Sequence, residues 1–368
     1  MTFRFELLHT DGAARAGRLH TAHGTIETPV FMAVGTQATV KGLTPPQLLE
    51  AGVQVVLGNT YHLALRPGDE VIAEQGGLHR FMGWPRPILT DSGGYQVFSL
   101  ATNRQLDDRG VVFRSHIDGS LFDLTPERAV RIQENLGSDI AMCLDECPPG
   151  DAPDPQREAV RRTVLWAERC KVAHQRADQA LFGIVQGGTD LALRAECARA
   201  LAALDFAGYA LGGFSVGETM EQMLAALEPA AALLPADKPR YLMGVGRPQD
   251  ILHAIARGID MFDCVLPTRN GRNAQAFTFA GPLRLRNACH KRDPQPLESG
   301  CQCYTCRTYS RAYLHHLFLA DEMLGPSLLS LHNVAFYSRL VAEARAAIAQ
   351  GRFAPFCAVH LARWEGKL

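Results

Sequence analysis

Three aspartates, one carboxamide and several paired glycines fall at the ends of apolar runs in this chain of 368 residues. Asp91 follows PILT and opens Asp91-Ser92-Gly93-Gly94-Tyr95; Asp145 follows DIAMCL and opens Asp145-Glu146-Cys147. Gln186-Gly187-Gly188, Gly212-Gly213 and Gly244-Val245-Gly246 close three further runs in the same way. Taken singly, Asp91 and Asp145 are equally good turn or loop residues, because Asp-Ser-Gly-Gly is sound turn chemistry. Asp263 is more telling. It interrupts the apolar stretch MFDCV, where an unpaired charge is costly and calls for a partner or a reaction. Glycine pairs make tight turns, and they also bring bare backbone against a flat ligand. Carboxylates, a carboxamide and bare backbone at one place would suit a planar base.

The elements that must bring these residues together are eight short apolar runs: 29–34, 53–58, 87–91, 139–145, 180–186, 208–213, 240–245 and 260–265. Segments with helical spacing and sound starts lie between several of them. Thr125-Pro126-Glu127 opens ERAVRIQENLG, Asp190 precedes LALRAECARALAAL, and Pro248 precedes QDILHAIARG. Eight strands alternating with helices predict an α/β fold of the (β/α)8 barrel type, in which all strand C-termini face one mouth and build the site there. A doubly wound open sheet would carry a phosphate-binding glycine fingerprint after its first strand, and none is present. The first 28 residues read as an N-terminal antiparallel cap with a turn at Asp11-Gly12. The segment 95–124 is long for a strand-to-helix link, and VVFRSHIDGSLFDL within it reads as a hairpin around Asp118-Gly119.

Cys301-x-Cys303-x-x-Cys306 places three thiols within six residues, a spacing that packing alone rarely uses and that suits zinc. The spacing leaves the fourth ligand open among His332, His315, His316, His290 and Cys289. A sulfur-rich, four-ligand site is closed, so such a zinc would be structural. The other cysteines are scattered, which fits a reducing compartment rather than a disulfide framework. The net charge of -1 hides an asymmetry: between Val265 and Arg311, eight Lys/Arg stand against Asp293 and Glu298, a surplus of six, and the remainder is correspondingly acidic. Such a stretch fits local docking of a polyanion, and equally a solvated basic face beside a metal site. No run of eighteen apolar residues occurs and the N-terminus lacks a secretory layout, so the expectation is a cytoplasmic protein with no membrane association.

In order along the chain, Asn59-Thr60-Tyr61-His62-Leu63, Asp91-Ser92-Gly93-Gly94-Tyr95-Gln96-Val97-Phe98, Gly183 to Gly188, Tyr241 to Gly246, Asp263-Cys264-Val265-Leu266-Pro267-Thr268-Arg269-Asn270 and the cysteine cluster resemble bacterial tRNA-guanine transglycosylases. The similarity runs from about Phe5 to the helix near Ile348. The resemblance implies one catalytic barrel over residues 1–368, with a zinc-binding subdomain over 283–335 inserted before the last barrel helix and His332 as the fourth ligand. It also implies a homodimer acting on tRNAs whose anticodon begins with guanine. Carried over by position, Asp263 resembles the nucleophile and Asp91 the general acid/base. Asp145, Gln186 and the Gly213 amide resemble readers of the base edge, and Tyr95 and Met243 the walls that sandwich it. Arg269, Asn270 and Arg272 resemble the RNA-contacting stretch. Two departures stand out: Asn270-Gly271-Arg272-Asn273-Ala274 where the family usually has Asn-Ala-Arg-Asn-Gly, and Phe214-Ser215 where Leu-Ala is common.

The chemistry implied is base exchange through a covalent ester: a carboxylate attacks the anomeric carbon, and a second carboxyl shuttles the proton of the leaving base, as in retaining glycosidases. Cys147 and Val216 resemble members that install the small base preQ1 (7-aminomethyl-7-deazaguanine) in queuosine biosynthesis, since glycine at the valine position would make room for the larger queuine. The Phe214 carbonyl and Glu218 would accept from the ammonium of preQ1. Three rival classes make different demands. A non-catalytic tRNA-binding partner would have lost a carboxylate, and Asp263, Asp91 and Asp145 are all present. A metal-dependent hydrolase on this barrel needs ligands at the strand ends, where no His-x-His occurs. A relative acting outside the anticodon would carry extra RNA-binding domains after the last helix.

Overall fold

The structure, a computed structural model, describes residues 3–100, 104–148, 153–214 and 216–364. Strands β1 (Arg4–Asp11), β2 (Ala14–Thr21) and β3 (Gly24–Thr28) form the antiparallel N-terminal cap, turning at Asp11-Gly12 as the sequence predicts. The chain then enters the barrel through β4 (Val30–Val34), β5 (Val56–Gly58) and β6 (Ile88–Thr90). After β6 the predicted hairpin appears within a three-stranded antiparallel sheet of β7 (Arg104–Asp107), β8 (Gly110–Arg114) and β9 (Leu121–Leu124). Strands β10 (Ile140–Met142), β11 (Ala180–Val185), β12 (Gly208–Leu211), β13 (Arg240–Leu242) and β14 (Met261–Cys264) complete the circuit. Every barrel pair is parallel, and β14 returns to β4 with Phe262 opposite Phe31, so the eight strands close. All eight apolar runs contain a barrel strand.

Closure explains the runs. Residues pointing inward (Met32, Leu57, Leu89, Ile140, Met142, Phe182, Ile184, Ala210, Tyr241, Met261) form one buried cluster with Leu19 and Ile26 of the cap, which seals the N-terminal end of the barrel. Outward-pointing residues join the surrounding helices in a second, larger layer. Helix starts obey local chemistry. Thr125 caps helix Pro126–Leu136 by accepting from the Arg128 N–H, and Asp190 caps helix Leu191–Ala203 by accepting from the Ala192 and Leu193 N–H groups. Among the described residues no helix is long and apolar enough to cross a membrane.

Beyond β14, helix Leu266–Arg272 leads to a two-residue ribbon, β15 (Gln275–Ala276) with β16 (Leu283–Arg284), and then to the cysteine cluster. The 26-residue helix Leu324–Ala349 follows, running unbroken past residue 335 and packing against both helix Leu266–Arg272 and β4.

Candidate active site

The C-terminal ends of the barrel strands surround a cavity of about 420 Å³, within the range of small-ligand pockets. Asp91, Tyr95, Asp145, Cys147, Gln186, Gly213, Phe214, Val216, Met243, Asp263 and Arg269 all line it. Asn270 and Arg272 sit beside Arg269 on helix Leu266–Arg272, with Arg269 and Arg272 exposed. Glu218 is not among the lining residues; its Oε2 accepts from the Val216 N–H at 3.0 Å. Ser215 lies outside the described residues.

Asp263 ends β14, the last barrel strand. The Tyr241 hydroxyl donates to its Oδ1 at 2.6 Å, and the Gly244 N–H donates to the same oxygen at 2.8 Å. Oδ2 therefore has no protein donor among the described residues, and burial raises the carboxyl above its ordinary pKa, partly opposed by these two donors. Asp91, just beyond β6, is held differently. The Thr60 N–H donates to Oδ1 at 2.9 Å, and the Asn59 carboxamide donates to Oδ2. Asn59 also caps the helix Thr60–Leu65 by accepting from the His62 N–H. Burial pushes Asp91 up to about 7, against the pull of the Thr60 donor, with the Asp263 charge adding to the rise. One carboxyl thus offers an undonated oxygen while the other is poised to hold or release a proton near neutrality.

Asp145 is buried after β10, accepting from the Ser92 hydroxyl at 2.9 Å and from Gln186 Nε2 at 2.7 Å, and burial raises its pKa. The Gln186 carboxamide lies against Gly212 and Gly213. A Cβ at Gly213 would stand 2.4 Å from Gln186 Oε1, and one at Gly212 would stand 2.8 Å from Nε2, so the glycines leave room for the carboxamide. Gly213 also adopts φ +68°, which an L side chain rarely tolerates. Tyr95, 52% exposed, stands at the mouth, with Met243 also lining the cavity. Burial, with the Asp145 charge, pushes the Cys147 thiol up to about 12, so it stays neutral.

Sequence reading overlooked several partners. Tyr241 is an inward-facing strand residue whose hydroxyl, in an apolar barrel, needs an acceptor and finds Asp263. His62 lines the cavity, and its pKa is lowered by burial with help from His116 and Lys41. His116, at the tip of the β8–β9 turn, contacts the Tyr61 hydroxyl through Nδ1 at 2.8 Å and so ties the inserted sheet to the rim.

The second cluster lies outside the barrel. Cys301, Cys303, Cys306 and His332 are buried, with one ligand atom of each within 4.8 Å of the others. The three sulfurs stand 3.9, 3.6 and 3.3 Å from His332 Nδ1. A tetrahedral ion with bonds of about 2.3 Å to sulfur and about 2.0 Å to nitrogen would separate them by roughly 3.5 Å. His332 Nε2 lies 2.8 Å from the Phe277 carbonyl, which can only accept; the proton is fixed there and the Nδ1 lone pair faces the thiols. The donor set therefore fits a metal ion. His332 was one of five fourth-ligand candidates, and burial at this cluster selects it; His315 instead places Nδ1 2.6 Å from the Leu285 carbonyl.

Asn333, the next residue of the long helix, couples this cluster to the candidate RNA-contacting helix. Its Nδ2 donates to the carbonyls of Pro267 and Gln275, both at 2.9 Å, and its Oδ1 accepts from the Phe277 N–H. Ser330, one turn earlier, lies so close to Gly271 that a Cβ there would stand 2.6 Å from its Oγ and 2.7 Å from its N. The glycine at 271 is thus required by helix contact, and Ala274 follows with a left-handed φ of 61°.

The model of the family described as queuine tRNA-ribosyltransferase matches residues 10–366. The chain is similar to curated relatives of that description. It is 54% identical to one from Symbiobacterium thermophilum over 99% of this chain and 92% of the relative. It is 56% identical to one from Solidesulfovibrio magneticus over 96% and 95%, and 54% identical to one from Pelotomaculum thermopropionicum over the full length of both.

Proposed function

Because the chain belongs to the queuine tRNA-ribosyltransferase family, we propose that it is a cytoplasmic tRNA-guanine transglycosylase that exchanges the first anticodon guanine for preQ1 through a covalent ester on Asp263. The observation that carries this reading is the meeting, in one base-sized cavity, of Asp263 with an undonated oxygen and Asp91 with a pKa near neutrality.

The guanine leaves its stack and enters between Tyr95 and Met243, whose ring and thioether offset the lost stacking. Asp145 accepts from the N–H edge of the base, while Gln186 and the Gly213 N–H donate to its carbonyl. Asp263 Oδ2 attacks C1′ of the ribose as the C1′–N9 bond breaks, giving an aspartyl ester of the RNA. The Tyr241 hydroxyl and the Gly244 N–H hold the other oxygen and so fix the line of attack. The departing guanine anion takes its proton from Asp91. PreQ1 then enters and gives its N9 proton to the Asp91 carboxylate. Its nitrogen attacks C1′, the ester breaks, and the two displacements retain the configuration at carbon. Val216 narrows the pocket beside the base and favours preQ1 over queuine, with the Phe214 carbonyl and Glu218 as acceptors for the ammonium.

The Cys301, Cys303, Cys306 and His332 set would hold a structural zinc, whose role is to fold the basic segment. Through Asn333 that fold supports the helix that presents Arg269, Asn270 and Arg272 to tRNA, and the enzyme acts as a homodimer. Labelled guanine exchange into tRNA tests the activity. Asp263→Asn tests the chemistry: it should bind tRNA and fold normally, yet leave no RNA adduct on a denaturing gel. An adduct retained by that variant overturns the assignment.

A further inference from the structure

We propose that Arg194 is a positioning residue for base recognition: from behind the cavity it clamps the two glycine loops that carry Gln186 and the Gly213 amide. The inference rests on the base-exchange reading above and assigns a task to a residue that never meets the base.

Arg194 lies in the first turn of helix Leu191–Ala203 and is 1% exposed. Its Nε donates to the Gly188 carbonyl at 2.8 Å, while Nη1 donates to the Val185 carbonyl at 2.9 Å and the Gly212 carbonyl at 2.8 Å. One guanidinium thus ties the end of β11 to the end of β12. Its Cζ lies over the Phe214 ring, 3.8 Å from the centroid, which extends the clamp to the next residue of the second loop. Gly187 lets the first loop close down on this helix, since a Cβ there would stand 2.8 Å from the backbone nitrogen of Arg194.

The consequence follows from peptide geometry. In a planar trans peptide the C=O and the following N–H point in opposite directions. The Gly212 carbonyl is held toward Arg194, so the Gly213 N–H of the same peptide is held away from it, on the side where it meets the cavity-lining Cys147 sulfur. An N–H so aimed can recognise only an acceptor. O6 is the acceptor that guanine shares with its 7-deaza relatives. Lysine would keep the charge, but a single ammonium cannot reproduce the planar fork across two loops.

The test compares Arg194→Lys and Arg194→Met with the wild type, using guanine, 6-thioguanine (sulfur in place of O6, a weaker acceptor) and tRNA as separate probes. Both variants should keep their metal content and a cooperative melt, and bind tRNA within about twofold of wild type, because the altered contacts lie away from the RNA-facing helix. Guanine affinity should fall about 3- to 10-fold, as expected when a neutral N–H···O hydrogen bond to the base is misaligned. The preference for guanine over 6-thioguanine should shrink with it, more in the Met than in the Lys variant. A merely structural arginine would weaken both bases equally and leave the preference intact. That result, unchanged guanine affinity, or parallel loss of tRNA and base binding in both variants overturns the proposal. A wild-type enzyme that exchanges no guanine would instead refute the reading of function, because base binding is measured independently of turnover.

Discussion

In the proposed reaction Asp91 is the residue at which catalysis and stability pull in opposite directions, and Asp91→Asn separates them. The Asp91 carboxyl rises from 3.8 to about 7 in the fold, chiefly through burial. The folded state then binds a proton more tightly than the unfolded chain between those values, so the slope of unfolding free energy with pH is negative there. The stability this group contributes is complete below pH 3.8 and is lost as the pH rises through about 7. Ionisation of this single buried carboxyl costs the fold about 4 kcal/mol by pH 8. Asparagine removes that cost, but it offers one acceptor oxygen where the carboxylate offers two, and the Thr60 N–H and the Asn59 carboxamide both need one. An unmet donor costs about 1–3 kcal/mol. The variant should therefore be about 1–3 kcal/mol more stable than wild type at pH 8 and within about 1 kcal/mol of it at pH 5, where the folded carboxyl is still neutral and ionisation of the unfolded chain costs the wild type only about 2 kcal/mol. Thermal melts of base-free protein at the two pH values read this as a gain of a few degrees at pH 8 alone, accompanied by loss of guanine exchange. A difference of the same sign and size at both pH values would refute the argument, because the gain would then not come from the charge.

Four further substitutions probe the rest of the molecule. Cys303→Ala should lose about one equivalent of zinc by elemental analysis and weaken tRNA binding while the barrel's circular dichroism persists; wild-type protein without zinc would refute the metal assignment. Wild-type enzyme should prefer preQ1 over queuine by about a hundredfold and Val216→Gly should erase most of that margin, so comparable use of the two bases by the wild type would sink the pocket argument. Gly271→Ala would place its Cβ 2.7 Å from the backbone nitrogen of Ser330, which cannot step aside, and should cost about 1–3 kcal/mol together with tRNA affinity. Ala274→Gly relaxes a left-handed φ of 61° and should be neutral or mildly stabilising; equal tolerance of Gly271→Ala would show that the two helices are not in close contact.

The barrel was legible because each of its strands is a short apolar run punctuated by a polar or glycine residue, and closure then dictates that those punctuation marks share one mouth. Thr125 and Asp190 announced their helices by cap chemistry, which is local and needs no tertiary knowledge. What local chemistry cannot supply is which distant group faces which. Arg194 reads in sequence as one more charged residue of an amphipathic helix, and only the approach of the ends of β11 and β12 makes it a clamp. Asn333 sits in SLLSLHNVAFY beside a metal-ligand candidate, yet its amide serves three backbone partners 56 to 66 residues away. The exchange of Gly and Ala across 271–274, conspicuous as a departure from the family pattern, becomes intelligible only when Ser330 is seen against Gly271.

The two ends of the barrel make the physical case for which carboxylates do chemistry. Asp139 precedes β10 at the capped end and is as buried as Asp91. Four donors meet it: the His23 N–H at 3.0 Å, His23 Nδ1 at 2.9 Å, the Ile88 N–H at 2.9 Å and His79 Nε2 at 3.1 Å. Despite the opposing effect of burial, which is the largest influence on it, those donors bring Asp139 down to about 2. Asp91, with fewer donors and the charge of Asp263 nearby, goes up to about 7. Burial raises both, more so at Asp91, and donor number and neighbouring charge then drive the two apart. A carboxylate with every lone pair donated to is fixed in its charge state and serves the fold. At the open mouth the same fold supplies fewer donors, leaving one carboxyl able to trade a proton and the other an oxygen with no protein donor among the described residues.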